Sequence, residues 1–116
     1  DESFARTLEY FKSLNREEYP TAIVCFNDMQ ALAVMTALKE MNIKVPEEVS
    51  IIGNDDIYYA KMFPVPLTTI RAPQKEIGRK AAEILIRNIE SNSTFTPERV
   101  VLETEFIVRD SSRVLN

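Results

Sequence analysis

Two apolar runs of strand length, separated by one helix-length segment, constrain this chain more than any other feature. Thr21-Ala22-Ile23-Val24-Cys25-Phe26 is apolar on both faces, the pattern of a central strand in a parallel sheet. Val49-Ser50-Ile51-Ile52-Gly53 is a second such run, with Gly53 placed to let the backbone turn sharply at its end. Between them, Ala31, Val34, Met35, Ala37, Leu38 and Met41 fall on one arc of a helix over about 28–42. Strand, helix and strand within about 33 residues make a βαβ unit, with parallel strands and a right-handed crossover. The expected class is α/β.

Around that unit the pattern continues. Phe4, Leu8, Phe11 and Leu14 mark one face of a helix over 2–14. Residues 15–20 are a polar connector ending at Pro20, and 42–48 are a turn. Leu67-Thr68-Thr69-Ile70 reads as a third strand. Pro73 opens a long helix to about Ile89, since proline is tolerated in a first helical turn. Ile77, Ala81, Ile84, Leu85 and Asn88 form its stripe, and Gly78, Ala81 and Ala82 permit close packing against another element. Residues 91–94 read as a loop, 100–102 and 106–108 as terminal strand pieces, and the remainder as a polar tail.

Composition removes several classes of function. With 45% apolar and 28% charged residues the chain is globular, not disordered. It holds no histidine and one cysteine. That excludes His–Cys zinc sites, paired-cysteine redox chemistry and any Ser–His or Cys–His couple within it. Its net charge of −4 makes it a poor nucleic-acid binder by itself. No apolar run approaches the ~18 residues of a membrane helix. The chain starts without methionine and reads as a piece of a longer protein. No metal and no cofactor is expected, and Cys25 reads as a buried small hydrophobe.

In parallel α/β sheets, ligands bind beyond the carboxyl ends of strands. Two such ends carry polar groups: Asn27 and Asp28 after the first strand, Asn54, Asp55 and Asp56 after the second. Carboxylates and amides suit a polyol, because a carboxylate accepts from hydroxyls while an amide both donates and accepts. Asn27 is a ligand candidate. Asp28 reads as the helix N-cap, and Asp55 and Asp56 read either as ligand contacts or as turn residues. The same carboxylates also fit a magnesium-dependent phosphoryl-receiving site, although there is no Gly-rich phosphate loop and no lysine after the third strand. Met29 and Leu32 lie opposite the core arc. With Tyr58, Tyr59, Met62 and Phe63 they form a candidate subunit interface.

An ordered string carries a family resemblance. It runs Pro20-Thr21-Ala22-Ile23, Asn27-Asp28, Ala31-Leu32, Ala37-Leu38, Val45-Pro46, Val49-Ser50-Ile51-Ile52-Gly53, Asp55-Asp56, Pro66-Leu67-Thr68-Thr69-Ile70, Gly78-Arg79-Lys80-Ala81-Ala82 and Val108-Arg109-Asp110-Ser111-Ser112. Its order and spacing resemble the C-terminal part of the LacI/GalR family of bacterial repressors over about 20–112. The resemblance implies a partial periplasmic-binding-protein-like (type I) fold of two α/β lobes, with a sugar or other small effector in the cleft between them. By that pattern, 1–71 are the later half of the C-terminal lobe, 72–98 the crossover and helix of the N-terminal lobe, and 99–116 the return strands and tail. The DNA-binding head would lie outside this chain.

The resemblance further implies a cytoplasmic, non-enzymatic, homodimeric regulator that meets operator DNA only through that head. Its effector contacts would be Asn27, Asp55 and Gln74, with Asp28 and Asp56 as cap or supporting residues. Asn54 replaces the aromatic of the family's Gly-aromatic-Asp-Asp motif, and Ala72 replaces a common polar contact. Met29, Leu32, Met62 and Phe63 match the family's dimer surface. The alternatives are a secreted sugar-binding protein of the same fold and a magnesium-dependent phosphoryl receiver.

Overall fold

A computed structural model describes residues 2–91 and 97–115. The loop expected at 91–94 falls, beyond Ser91, outside the described residues. The chain forms two compact units. The first comprises 1–71 and 106–116, the second 72–105.

The sheet of the described residues is ordered β1-β2-β3-β4, comprising Ala22–Val24, Ser50–Asn54, Thr68–Arg71 and Glu105–Ile107, and all of it but the boundary residue Glu105 belongs to the first unit. β1 pairs parallel to β2 with Val24 opposite Ile52, and β2 pairs parallel to β3 with Ile52 opposite Thr68. The α/β class and the parallel βαβ unit are as the sequence predicts. The helix between β1 and β2 is α2, Asp28–Glu40. Ahead of it stands α1, Glu2–Lys12, whose Phe11 is buried and meets Tyr19 edge to face at 4.8 Å between ring centres. Phe11, Ala31, Val34, Met35, Leu38, Val49, Ile51 and Leu67 form one apolar cluster that fixes α1 and α2 against the sheet.

Three features differ from the sequence expectations here. β1 is an outer strand of the described sheet, not a central one. Val24 and Phe26 stand 71% and 83% exposed because no described element covers them. Gly53 has no left-handed backbone conformation. Its role is steric, since a Cβ there would come within 2.2 Å of Asp28 Oδ1 and 2.7 Å of Leu67 Cδ2. The tail is not a loose appendage. Ser111 is fully buried at the head of the β2–β3 seam, where Thr68 N donates to its Oγ at 2.8 Å and that Oγ donates to Ile51 O at 2.6 Å. Its carbonyl accepts from Ile51 N at 2.7 Å. These bonds satisfy backbone groups of both strands where they are not yet paired to each other.

The second unit is α3, Gln74–Glu90, followed after the undescribed stretch by an irregular segment. Pro73 stands just before the helix rather than in its first turn. Residues 100–102, expected as a strand piece, are irregular, and regular strand begins only at Glu105. A Cβ at Gly78 would meet nothing within 4 Å, so no described element uses the close approach that residue permits.

Candidate functional site

The carboxyl ends of β1 and β2 lie side by side because the two strands are parallel neighbours. Asn27 follows β1 and terminates in the N-cap of α2. Its extended backbone (φ −150°, ψ 171°) lets Oδ1 accept from Gln30 N at 2.8 Å. The cap is therefore Asn27, not Asp28 as the sequence suggested. Capping occupies the carbonyl oxygen and leaves the Asn27 amide NH2 as a donor.

Asp28 takes a different part. It is completely buried as the first residue of α2. Its Oδ1 accepts from Thr69 Oγ1 at 2.6 Å and its Oδ2 from Ile57 N at 2.8 Å. Those bonds tie the start of α2 to β3 and to the connection after β2. The close approach to Gly53 is what makes room for this carboxylate. Beside it, burial pushes the Cys25 thiol up to about 11, with the Asp28 charge acting in the same direction. Cys25 is thus a buried, unreactive thiol, in line with the sequence reading.

The connection 54–57 carries the other acidic residues. Asp55 and Asp56 both hold positive φ, 114° and 49°, a conformation uncommon for non-glycine residues. Asp55 N donates to Ile70 O at 2.8 Å, and Asp56 N reaches Thr69 Oγ1 at 3.4 Å. Among the described residues, the Asp55 carboxylate meets only the amide of Asn54, at 3.1 Å. Asp56 faces the opposite circumstance. Its Oδ2 accepts from Arg71 Nε at 2.7 Å and its Oδ1 from Arg109 Nη2 at 2.6 Å. Burial pushes the Asp56 carboxyl up, but hydrogen bonds and charge from Arg109 and Arg71 together outweigh it and hold the group below the usual carboxylate range.

The expected apolar surface is divided by the structure. Met29 and Met62 are well exposed. Leu32 is half-buried and packs against the core. Phe63 is 8% exposed and belongs to the core cluster, so it presents no surface to a partner. The 3₁₀ turn Tyr58–Met62 turns Ala60 inward, to 0% exposure, and leaves Tyr58 and Tyr59 outside with rings 5.4 Å apart, edge to face. Lys61 Nζ stands 4.7 Å from the Tyr58 ring centre. Gln74, the first residue of α3, is exposed in the second unit.

Sequence reasoning missed Arg71, Arg109 and Thr69 as supports of the acidic connection. Arg71 and Arg109 come from 15 and 53 residues away in the chain, and no local pattern marks such pairs.

With this geometry in hand, known proteins place the chain. The family model described as "Periplasmic binding protein-like domain" matches residues 1–112. The chain belongs to that family. Among its relatives is an arabinose metabolism transcriptional repressor of Geobacillus stearothermophilus, 38% identical over 116 residues, covering 97% of this chain and 32% of that protein. Another is the HTH-type transcriptional repressor PurR of Vibrio atlanticus (strain LGP32), 40% identical over 105 residues, covering 89% of this chain and 30% of that protein. A solved transcriptional regulator CelR–cellobiose complex superposes with a TM-score of 0.80 at 30% identity, covering 94% of this chain and 33% of that one. The chain thus spans about a third of the length of the relatives it matches.

Proposed function

We propose that this chain is the C-terminal part of the effector-binding domain of a LacI/GalR-type transcriptional repressor, and that it takes part in sensing a small polyhydroxylated effector, a sugar in the first instance. The observation that carries the reading is that parallel neighbours β1 and β2 end side by side, with Asn27 and Asp55 in the connections after them and Ile57 N of one connection donating to the Asp28 carboxylate of the other. Asn27 offers an amide donor and Asp55 a carboxylate acceptor. Vicinal hydroxyls both donate and accept, so that pair suits a polyol. Gln74 is retained as a third contact on the family resemblance. The relatives' printed descriptions, an arabinose repressor and a regulator bound to cellobiose, support the same ligand class.

No bond is made or broken in this reading, so it needs no cofactor and no catalytic residue. Effector binding shifts the population of one arrangement of the repressor, and operator affinity follows. The protein would act in the cytoplasm as a homodimer, meeting DNA through a head outside this chain. Exposed Met29, Tyr58, Tyr59 and Met62 supply the apolar and aromatic surface for dimerisation.

Magnesium-dependent phosphoryl transfer fits the donor set poorly. Both oxygens of Asp28 and both of Asp56 are already held by protein donors, which leaves Asp55 without a second carboxylate to complete a divalent-cation site.

The test is thermal denaturation of the full-length gene product with L-arabinose, cellobiose and sucrose in turn. A ligand at about 100 times its Kd should stabilise the protein by about 2.7 kcal/mol. Asp55→Ala should abolish the shift. An Asp55→Ala variant that responds like the wild type removes Asp55 from the site.

A further inference from the structure

Within the first unit, one carboxylate holds an arginine near each point where the chain leaves and re-enters that unit. The first connection leaves at Arg71, the last residue before the second unit begins at Ala72. The second returns at Phe106, three residues before Arg109. Asp56 holds Arg71 through Oδ2, to Nε and Nη2 both at 2.7 Å, and Arg109 through Oδ1 at 2.6 Å. The Asp56 and Arg109 side chains are only 8% and 17% exposed, so water screens that pair weakly, whereas Arg71 is 48% exposed and its pair is the more screened of the two. Arg109 is fixed further, with Nη1 donating to Leu67 O at 2.8 Å and its backbone N to Thr68 Oγ1 at 2.9 Å.

The residue preceding this carboxylate is Asp55. Asp55 and Asp56 are consecutive residues of one connection, both at positive φ, and their backbone N–H groups are held by successive residues of β3, Asp55 N by Ile70 O and Asp56 N by Thr69 Oγ1. Asn54, Ile57 and Thr69 pin the same connection from its two ends. The one polar side chain of the group with a carboxylate oxygen to spare for a ligand is Asp55. The one that reaches the unit connections is its neighbour.

We propose that Asp56 is a coupling residue: a load on Asp55 is passed through the shared backbone to the Asp56 carboxylate, and from there to Arg71 and Arg109 at the two connections. The inference rests on the effector reading for what loads Asp55, and on geometry alone for the clamp. Asp56 touches no effector in this account. It acts by position, so its loss separates binding from response.

Hydrogen–deuterium exchange on the full-length protein tests it, with and without L-arabinose, cellobiose or sucrose as the probe. Without probe, Asp56→Asn should speed exchange about tenfold in peptides covering both 68–72 and 106–110, while α2 keeps its wild-type rates. Arg71→Gln, which removes one arm only, should do so at 68–72 alone. Unchanged exchange at both connections in Asp56→Asn overturns the clamp. With probe, the wild type should slow at both connections. Asp56→Asn should bind the probe within about threefold of wild type, yet show none of that slowing and none of the accompanying change in operator affinity. An Asp56→Asn protein that binds and still slows at both connections overturns the coupling role. Asp55→Ala that binds the probe as wild type does defeats the effector reading instead, and the probe-free arm then decides the clamp.

Discussion

The two long helices of this chain make opposite use of similar material. α2 has 13 residues and buries seven of them: Asp28, Ala31, Ala33, Val34, Met35, Ala37 and Leu38. α3 has 17 residues, carries a clear apolar stripe, and buries none. Ile77, Leu85, Ile86 and Ile89 all stand exposed. Beside α3 lies an open cavity of about 380 Å³, lined in part by Ile77, Ala81, Ile84, Val100 and Leu102. Amphipathic pattern states which face wants cover. Only a packed neighbour supplies the burial, and among the described residues α2 has one and α3 has at most the irregular 97–104 segment.

The contrast can be broken most directly by truncating one apolar residue in each helix. Leu38→Ala, at a position with no exposure, should cost about 2–5 kcal/mol in urea denaturation of this chain. Leu85→Ala, at 59% exposure, should change stability by no more than about 0.5 kcal/mol. Equal losses would mean that α3 is covered after all. Gly53→Ala comes next. The added methyl meets the Asp28 carboxylate, and relief requires moving a buried group, so about 1–3 kcal/mol should be lost. A neutral result would show that Asp28 does not need its buried position. Asn27→Ala should cost about 1 kcal/mol by removing the cap of α2, whereas no side chain caps α3 and Pro73→Ala has no such bond to remove. Circular dichroism melts of the two variants would register the difference.

The smallest effect is in acid. Asp56 is held below the usual carboxylate range when folded, so its ion pairs stabilise the fold fully above the unfolded value of about 3.9. That contribution fades as pH falls through the lower folded value. The gap in urea midpoint between wild type and Asp56→Asn should therefore be constant from neutral pH down to about 5 and close below about 4. A gap that widens in acid would show that the arginines do not control this group.

The α2–α3 contrast also marks what could be read in advance. Strand runs and helix stripes lie within short windows, so β1, α2, β2, β3 and α3 were each visible in the residues. Asn27 and Asp28 are adjacent and equally good caps by type. Which one takes the role depends on a backbone bend that residue type does not encode. Gly53 looked like a turn because glycine's common use is conformational, while its actual use here depends on a carboxylate 25 positions earlier. In sequence, Phe63 reads as available for a partner because it shares an aromatic and methionine-containing segment with Tyr58, Tyr59 and Met62. The 3₁₀ turn and the extended backbone after it direct Phe63 into the core instead. The resemblance marked Asn27, Asp55 and Gln74, but the arginines that brace the acidic connection became visible only in three dimensions.

Ser111 gives the assembly of the first unit an order in time. It closes backbone positions of Ile51 and Thr68 that precede it by 60 and 43 residues. A nascent polypeptide halted before that serine leaves the ribosome with two inner strands joined along only part of their length and buried peptide groups at the open end. Completion of the β2–β3 seam therefore waits for Ser111 to be synthesised, and a truncation ahead of that residue would do its damage in the middle of the sheet rather than at its rim.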